Sequence, residues 1–210
     1  MLEYYVPTGA GSAEYVEKRS RFIGNIWRVS SEEEARARVA EMKAKYHDAR
    51  HNCWCCVVNS EGVLRYSDDG EPQGTAGQPM LEVFSRGGIT DVCCVVTRYF
   101  GGVLLGAGGL VRAYTHTAKL ALDNAGISVV RMWERVNVLC AYNFLERAKI
   151  EISSIDGKVT DVEYSDKVLI KALLPEGASA AFFDRMRDMT AGTAVCTPDG
   201  TELCAVPLED

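Results

Sequence analysis

Two glycine-rich stretches decide how this chain is interpreted. Residues 67–79 read SDDGEPQGTAGQP, and residues 96–114 read VTRYFGGVLLGAGGLVRAY. Glycine loses more conformational freedom on folding than any other residue and contributes no side chain to a core. Its concentration in two loops therefore indicates unusual backbone angles or the close approach of a partner, and functional residues are expected there.

The sequence around these loops predicts a first domain that mixes strands and helices. Short apolar runs predict strands, and apolar residues at helical spacing predict helices. Ser31, followed three residues later by Glu34, has the pattern of a capping box at the start of the first helix. The predicted strands are 20–29, 51–59, 62–66 and 92–96, and the predicted helices are 31–46, 78–86 and 109–124.

The pattern changes after Gly126 and predicts a second domain. Strands and helices then follow in the order β-α-β-β-α-β, which is the order of the ferredoxin-like sandwich. Asn143, with Glu146 three residues later, is expected to cap the first of its helices. The predicted boundaries are 1–128 for the first domain and 129–210 for the second.

The charge of the chain argues against a protein that covers double-stranded DNA. Residues 1–126 carry 14 basic and 15 acidic groups, and residues 127–210 carry 9 and 14, so most of the net charge of −6 lies in the second domain. Binding to duplex nucleic acid over a wide face normally uses a basic domain. A local basic patch on the first domain is compatible with these numbers.

The sequence predicts a cytoplasmic protein with reduced cysteines. No apolar run approaches the roughly 18 residues of a membrane-spanning helix, and the N-terminus lacks the basic and apolar regions of a signal peptide. Eight cysteines are present, without two pairs at zinc-ribbon spacing. Most lie in strand-like runs, so they are expected to be buried free thiols.

Three motifs resemble the signatures of the YigZ/IMPACT family. They are A-x-H-x-C at 49–53, S-D-D-G-E-P-x-G-T-A-G-x-P at 67–79 and V-T-R-Y-F-G-G-x-x-L-G-x-G-G-L-V-R-A-Y at 96–114. The resemblance implies an α+β fold. Its first domain would be of the ribosomal-protein/elongation-factor type, a four-stranded sheet with two helices on one face. Its second, ferredoxin-like domain would be similar to the last domain of elongation factor G. The resemblance also implies translational control, which is the role of the eukaryotic relatives.

The acidic loop supplies the first candidate site residues. Asp68, Asp69 and Glu71 lie within four residues, and neighbouring carboxylates can bind a divalent cation or act in general acid–base catalysis. The alternative is structural, since Asp side chains in such loops bond to nearby backbone N–H groups and form tight turns. His51 joins the candidates because it occupies the histidine position of the first motif.

The second loop supplies basic and glycine candidates. Arg98 follows the buried strand and is expected either to bind a ligand or to form a salt bridge with the acidic loop. Glycines before a helix leave N–H groups that can bind anions. Arg112 and Lys119 add positive charge, in a polar stripe with His116 and Asp123. Alternatively, the glycines allow the two loops to pack closely. The glycine candidates are Gly101, Gly102, Gly106, Gly108 and Gly109.

These observations lead to one preferred hypothesis and two alternatives. The chain is expected to be a cytosolic, translation-associated regulatory protein that binds RNA, the ribosome or a translation factor through the glycine-rich loops, without a cofactor. One alternative is a small enzyme for a phosphorylated or nucleotide substrate, with a divalent metal at Asp68, Asp69 and Glu71. The other is a protein–protein adaptor without a nucleic-acid role. The two loops are expected to converge at one accessible surface of the first domain.

Overall fold

The computed structural model describes residues 3–208, which fall into two units. One unit contains Tyr4–Val130 with the residues that follow Cys204, and the other contains Glu3 and Arg131–Cys204. Both units combine helices with antiparallel strands, so the predicted two-domain α+β class is confirmed. Within residues 3–208, no helix is long and apolar enough to cross a membrane.

An antiparallel sheet of five strands forms the centre of the first unit. The strands of this part of the chain are β1 Tyr4–Pro7, β2 Gly11–Glu17, β3 Ser20–Arg28, β4 His51–Val58, β5 Val63–Ser67 and β6 Val92–Tyr99. The sheet has the order β2-β3-β6-β4-β5, which leaves β6 in the middle. Residues 92–98 of β6 are all buried, as the continuous apolar run predicts for a strand covered on both faces.

Helices cover both faces of this sheet. The first helix, α1 (Glu32–Lys45), packs on one face, whereas α2 (Gly77–Arg86) and α3 (Ala107–Ala125) pack on the other. The start of α1 follows the predicted capping box, because the Glu34 N–H donates to Ser31 Oγ at 3.1 Å. The paired glycine loops thus lead into α2 and α3, on the same side of the sheet.

Two features correct the expected four-stranded sheet with two helices on one face. The additional strand is β2, which the sequence pattern does not indicate. Its GSAEYVE stretch contains only two large apolar residues, Tyr15 and Val16, and they lie on opposite faces of the strand. The additional helix is α1, whose Val39 and Met42 share a core with Cys56 and Val95 on the opposite face. The central strand is buried on both sides because helices lie against both.

The second unit has the β-α-β-β-α-β order of the ferredoxin-like sandwich. Its elements are β7 Ile127–Cys140, α4 Leu145–Ser153, β8 Lys158–Tyr164, β9 Val168–Pro175, α5 Ser179–Met189 and β10 Val195–Pro207, except that residues 127–130 and 205–207 belong to the first unit. In this sheet β9 lies between β7 and β8, and β10 pairs with β7. Val138, Ile170 and Phe182 belong to the core between the sheet and its two helices.

The expected cap of α4 is wrong. A short 3-10 turn, Tyr142–Phe144, precedes the helix, and Asn143 lies inside that turn. The Phe144 N–H donates to the Ala141 carbonyl at 2.9 Å, and no side chain caps α4. A backbone turn therefore leads into the helix where the sequence pattern indicates a side-chain cap.

The prediction of free, mostly buried thiols is confirmed. Across the described residues the cysteines are free, and those of β4, β6 and the end of β7 are buried. Burial disfavours the charged thiolate, and it raises the pKa of Cys94 to about 12. These cysteines are therefore core residues with little thiolate at neutral pH.

Candidate functional site

A buried salt bridge joins the two glycine-rich loops. Arg98 lies near the end of β6, and its Nη1 donates to Glu71 Oε1 of the acidic loop at 2.7 Å. The two side chains are only 7% and 3% exposed. Tyr114 of α3 donates its hydroxyl to the same carboxylate oxygen at 2.9 Å. One carboxylate thus connects the acidic loop, the central strand and α3.

Other groups enclose the Arg98 guanidinium. Its Nη2 donates to Ser20 Oγ at 3.4 Å, and its carbon lies 5.4 Å and 5.6 Å from the ring centres of Phe22 and Phe100. Its Nε is buried and has no hydrogen-bond partner among residues 3–208. Of the two expectations for Arg98, the structure therefore realises the salt bridge between the loops.

The hydroxyl of Tyr114 also contacts a thiol in this buried network. Cys53 Sγ lies 3.4 Å from Tyr114 Oη and donates to the Asp68 carbonyl at 3.0 Å. Burial and the nearby Cys53 and Glu71 raise the pKa of Tyr114 well above its ordinary value. Burial likewise raises the pKa of Cys53. Both groups therefore stay neutral at physiological pH and act as hydrogen-bonding core residues.

Asp68 folds the acidic loop onto the start of α2. Its Oδ2 accepts from the Gly74 N–H at 2.8 Å, and its Oδ1 accepts from Ala76 N–H at 3.0 Å and Gly77 N–H at 2.8 Å. The first N–H groups of a helix have no partner within the helix, so a carboxylate there stabilises the helix end. The structural alternative given for Asp68 is the one that the structure supports.

Asp69 and His51 form a separate set of contacts. The Asp69 carboxylate accepts from Lys43 Nζ at 2.6 Å and from the Asn52 N–H at 2.7 Å. His51 Nδ1 lies 2.8 Å from the Asp69 carbonyl oxygen. These contacts tie the acidic loop to α1 and to the start of β4.

The hypothesis of a metal site at Asp68, Asp69 and Glu71 is corrected by these contacts. Each carboxylate has different partners, so the three do not converge on one point. In the part of the chain that the structure describes, no group of three or more His, Cys, Asp or Glu residues is placed to hold a metal ion. Its three carboxylates instead attach the acidic loop to different elements: Asp68 to the start of α2, Asp69 to α1 and β4, and Glu71 to β6 and α3.

Close backbone packing and positive φ angles explain most of the glycines in the second glycine-rich stretch. A Cβ on Gly101 would lie 2.0 Å from the Arg19 carbonyl carbon, so only glycine permits this close approach. Gly106 immediately precedes α3 and has φ of 72°, in the left-handed region. Gly102 also has positive φ, in an exposed part of the loop. Gly108 and Gly109 lie in the first turn of α3.

A groove of about 870 Å³ lies between α2 and α3 in the first unit. Both glycine-rich loops reach it, through Gly74 of the first and Gly109 of the second. Arg112 and Lys119 line the same groove, together with His116 of the predicted polar stripe. The other predicted site residues lie outside its lining: His51, Asp68, Asp69, Glu71, Arg98, Gly101, Gly102, Gly106 and Gly108.

The two walls of this α2–α3 groove differ in charge. Along α3, Arg112, His116 and Lys119 are exposed, and neither Arg112 nor Lys119 has an ion-pair partner within residues 3–208. Along α2, Arg86 donates to Glu82 at 2.8 Å, so these two charges largely neutralise each other. The α3 wall therefore offers uncompensated positive charge to a ligand.

Sequence reasoning misses the rest of the lining. From α2, the groove uses the i, i+3, i+4, i+7 set on the face that turns away from Met80 and Phe84. From β2, it uses two residues of the strand that the pattern does not indicate. The helical spacing of the α2 residues could have identified this wall of the groove. Residues 11–17 contain too few large apolar residues to indicate a strand. The missed residues of β2 and α2 are Tyr15, Glu17, Gln78, Pro79, Glu82, Val83 and Arg86.

Two aromatic rings of the groove lining, those of Tyr15 and His116, contact each other, and Tyr15 also forms a hydrogen bond. The Tyr15 ring meets the His116 ring edge-on, with centroids 4.7 Å apart and an interplanar angle of 75°. The Tyr15 hydroxyl donates to Glu17 Oε2 at 2.8 Å, and this hydrogen bond raises the pKa of Tyr15. Tyr15 is thus held in place by partners on both sides.

Comparison with known proteins covers both units. The Impact N-terminal domain matches residues 18–122, and a domain of unknown function, DUF1949, matches residues 138–193. The IMPACT family member YvyE of Bacillus subtilis is 36% identical over 190 residues, which cover 90% of this chain and 88% of that protein. The IMPACT family member YigZ of Escherichia coli is 33% identical over 196 residues, covering 92% and 96%.

A solved structure is similar over nearly the same length. The crystal structure of a hypothetical protein has a TM-score of 0.59 and 33% sequence identity, and the match covers 93% of this chain and 97% of that one. The similarity therefore extends through both units and is not limited to the two glycine-rich motifs.

Proposed function

Because the chain belongs to the IMPACT family, we propose that it is a cytoplasmic, translation-associated regulatory protein whose first domain binds a negatively charged partner in the α2–α3 groove. The partner is a component of the translation machinery, either RNA, the ribosome or a translation factor. Family membership supports the translational role, and the groove supports binding as the activity.

One observation carries this proposal. Arg112 and Lys119 are exposed cations on the wall of a concave surface, and no carboxylate of residues 3–208 pairs with either. An exposed Arg or Lys without an ion-pair partner is well solvated, and leaving it unpaired costs little free energy. Arg112 and Lys119, however, lie on one wall of a groove, where their charges add to a local positive field that attracts and orients negatively charged partners.

Ribosome cosedimentation tests the proposal. The full-length protein and its Arg112→Glu/Lys119→Glu variant are compared in lysate fractions from a cell that lacks the native protein. We expect the wild-type protein to sediment with ribosomes or ribosomal subunits, and the variant to remain largely in the supernatant. Unchanged sedimentation of the variant would contradict the role of the groove.

A matched control is available in the second domain. Arg147 and Lys167 are exposed and have no ion-pair partner within the described residues. Arg147→Glu/Lys167→Glu changes the net charge by the same amount as the groove variant. Its sedimentation should equal that of the wild type, since only the position of the charge differs.

The enzymatic alternative has one supporting observation. The volume of the groove, about 870 Å³, lies within the range of small-molecule sites. The carboxylates proposed for catalysis, however, are held in structural contacts outside the groove lining. Calorimetric titration with nucleotides and Mg²⁺ separates the two functions, because the binding proposal expects no saturable heat from mononucleotides, and the enzymatic alternative requires it.

A further inference from the structure

Two cations of the groove and the histidine between them have the spacing of a helix. Arg112, His116 and Lys119 lie at i, i+4 and i+7 of α3 and line one wall. At 1.5 Å of rise per residue, the row is about 10 Å long. A second helix lying along this wall would match the row with carboxylates at the same spacing, because its side chains repeat with the same period.

Both helices contribute apolar residues to the groove. Pro79 and Val83 come from α2, and Val111 and Ala113 come from α3. A groove with an apolar floor and charged edges is the kind of surface that accepts the apolar face of an amphipathic helix. The row of Arg112, His116 and Lys119 would contact the polar face of such a helix, and the apolar residues of the groove would contact its apolar face.

The carboxylates of the lining disfavour RNA. Glu17 and Glu82 both face the groove. Arg86 pairs with Glu82, but Glu17 has no ion-pair partner within residues 3–208, so a phosphate chain laid along the groove would pass near an unneutralised carboxylate. The aromatic rings that line the groove are those of Tyr15 and His116, which contact each other edge-on. Single-stranded RNA is usually held on exposed aromatic faces within uniformly positive grooves.

From this charge complementarity, we infer that the α2–α3 groove binds an acidic amphipathic helix of a protein partner. Its apolar stripe packs on Pro79 and Val83, and carboxylates at i, i+4 and i+7 face Arg112, His116 and Lys119. The opposite edge of the ligand faces the Glu82–Arg86 pair, whose charges cancel, so the preference for carboxylates comes from the α3 edge of the groove. This inference rests on the proposed function, because it names the partner of the same groove.

A peptide selection tests the inference on the full-length protein. A displayed library of helical peptides, each about 20 residues long, is selected for binding to the immobilised chain. We expect the enriched peptides to carry Asp or Glu at i, i+4 and i+7 beside an apolar stripe. Their dissociation constants should rise at least about tenfold for Arg112→Glu/Lys119→Glu. They should stay unchanged for Arg147→Glu/Lys167→Glu.

A reciprocal exchange of charge shows whether the contact is direct. Replacing the acidic row of the best peptide by Lys should abolish binding to the wild type and restore binding to Arg112→Glu/Lys119→Glu. The inference is overturned if no peptide is enriched, if the enriched peptides lack the acidic row, or if the exchange does not restore binding. It is also overturned if oligouridylate displaces the peptides from the groove at lower concentration than they bind.

The failure of this inference is distinguishable from the failure of the proposed function. Suppose that ribosome cosedimentation depends on Arg112 and Lys119 while acidic helices do not bind. The groove then keeps its proposed role, and its partner is not an acidic helix. If the Arg112→Glu/Lys119→Glu variant cosediments with ribosomes as the wild type does, the proposed function is contradicted, regardless of the result of the peptide selection.

Discussion

Glu71 and Arg98 form an ion pair in which both side chains are more than nine-tenths buried, with Nη1 and Oε1 2.7 Å apart. Removing one partner of such a pair leaves an uncompensated buried charge. Glu71→Ala should therefore lower the free energy of unfolding of the first domain by about 3–5 kcal/mol. Urea unfolding in a Trp133→Phe background measures this, since Trp27 and Trp54 then report on that domain.

The exposed pair of Glu14 and Arg21 is the matched control. Its side chains are 46% and 51% exposed, and exposed ion pairs contribute about 0–1 kcal/mol. Glu14→Ala should thus shift the unfolding midpoint little. Equal losses for Glu14→Ala and Glu71→Ala would contradict the structural role given to the buried pair.

Two glycines of the second glycine-rich stretch should respond in opposite ways to alanine. In Gly101→Ala the new methyl group would meet the Arg19 backbone at 2.0 Å, so the backbone must shift and the domain should lose about 2–4 kcal/mol of stability. In Gly108→Ala the methyl group would meet only Arg112 Nη1 at 3.6 Å, and stability should rise by up to about 1 kcal/mol from helix propensity. Thermal unfolding of both variants checks the order.

Asp68 should be needed for folding of the acidic loop. Asp68→Ala leaves the Gly74, Ala76 and Gly77 N–H groups without their acceptor, and the expected loss is about 2–4 kcal/mol. Hydrogen exchange should show faster exchange at these three amides, a local readout that a general loss of stability would not single out. Asp123→Ala, on the exposed side of α3, should leave their exchange unchanged.

Alkaline pH should destabilise the first domain through its buried thiols. Burial raises the pKa of Cys94 from 9.0 to about 12, so between these values the unfolded chain loses a proton that the folded chain keeps. The stabilisation is complete below about pH 9 and is lost as pH rises towards 12. In that range each such thiol should lower the free energy of unfolding by about 1.4 kcal/mol per pH unit.

Replacement of one thiol isolates its contribution. Urea unfolding of the wild type and of Cys94→Ala at pH 8 and pH 10 gives the comparison, with Cys94→Ala less dependent on pH. An identical pH dependence in both proteins would mean that Cys94 titrates as readily in the folded chain as in the unfolded one.

Local sequence signals predicted most of the elements in this fold. The capping pair of Ser31 and Glu34 marks the start of α1, and the β-α-β-β-α-β order predicted after Gly126 is the order that the second unit has. β2 escaped prediction because it contains few large apolar residues, although its residues alternate between half-buried and exposed. It is held in place by pairing with β3, a tertiary contact that no local pattern contains.

The candidate site was predictable only in part, for a related reason. The row of Arg112, His116 and Lys119 follows from helical spacing alone. That Glu71, rather than Asp68 or Asp69, pairs with Arg98 depends on how the loop folds, and the sequence left these choices open. The second wall of the groove depends on which face α2 turns to the core, which is decided by the burial of Met80 and Phe84.

The Tyr114 hydrogen bond to Glu71 has a consequence for how a partner arrives. Asp68 fastens the beginning of α2, and three residues later Glu71 fastens α3 through Tyr114, so both helices are anchored to one short segment. Spreading them apart would break the buried hydrogen bond from Tyr114 to Glu71 or the hydrogen bonds from the start of α2 to Asp68. The α2–α3 groove is therefore already formed before a partner binds. The entropic cost of ordering then falls on the partner alone, so a stiff or already folded partner should bind more tightly than a disordered one.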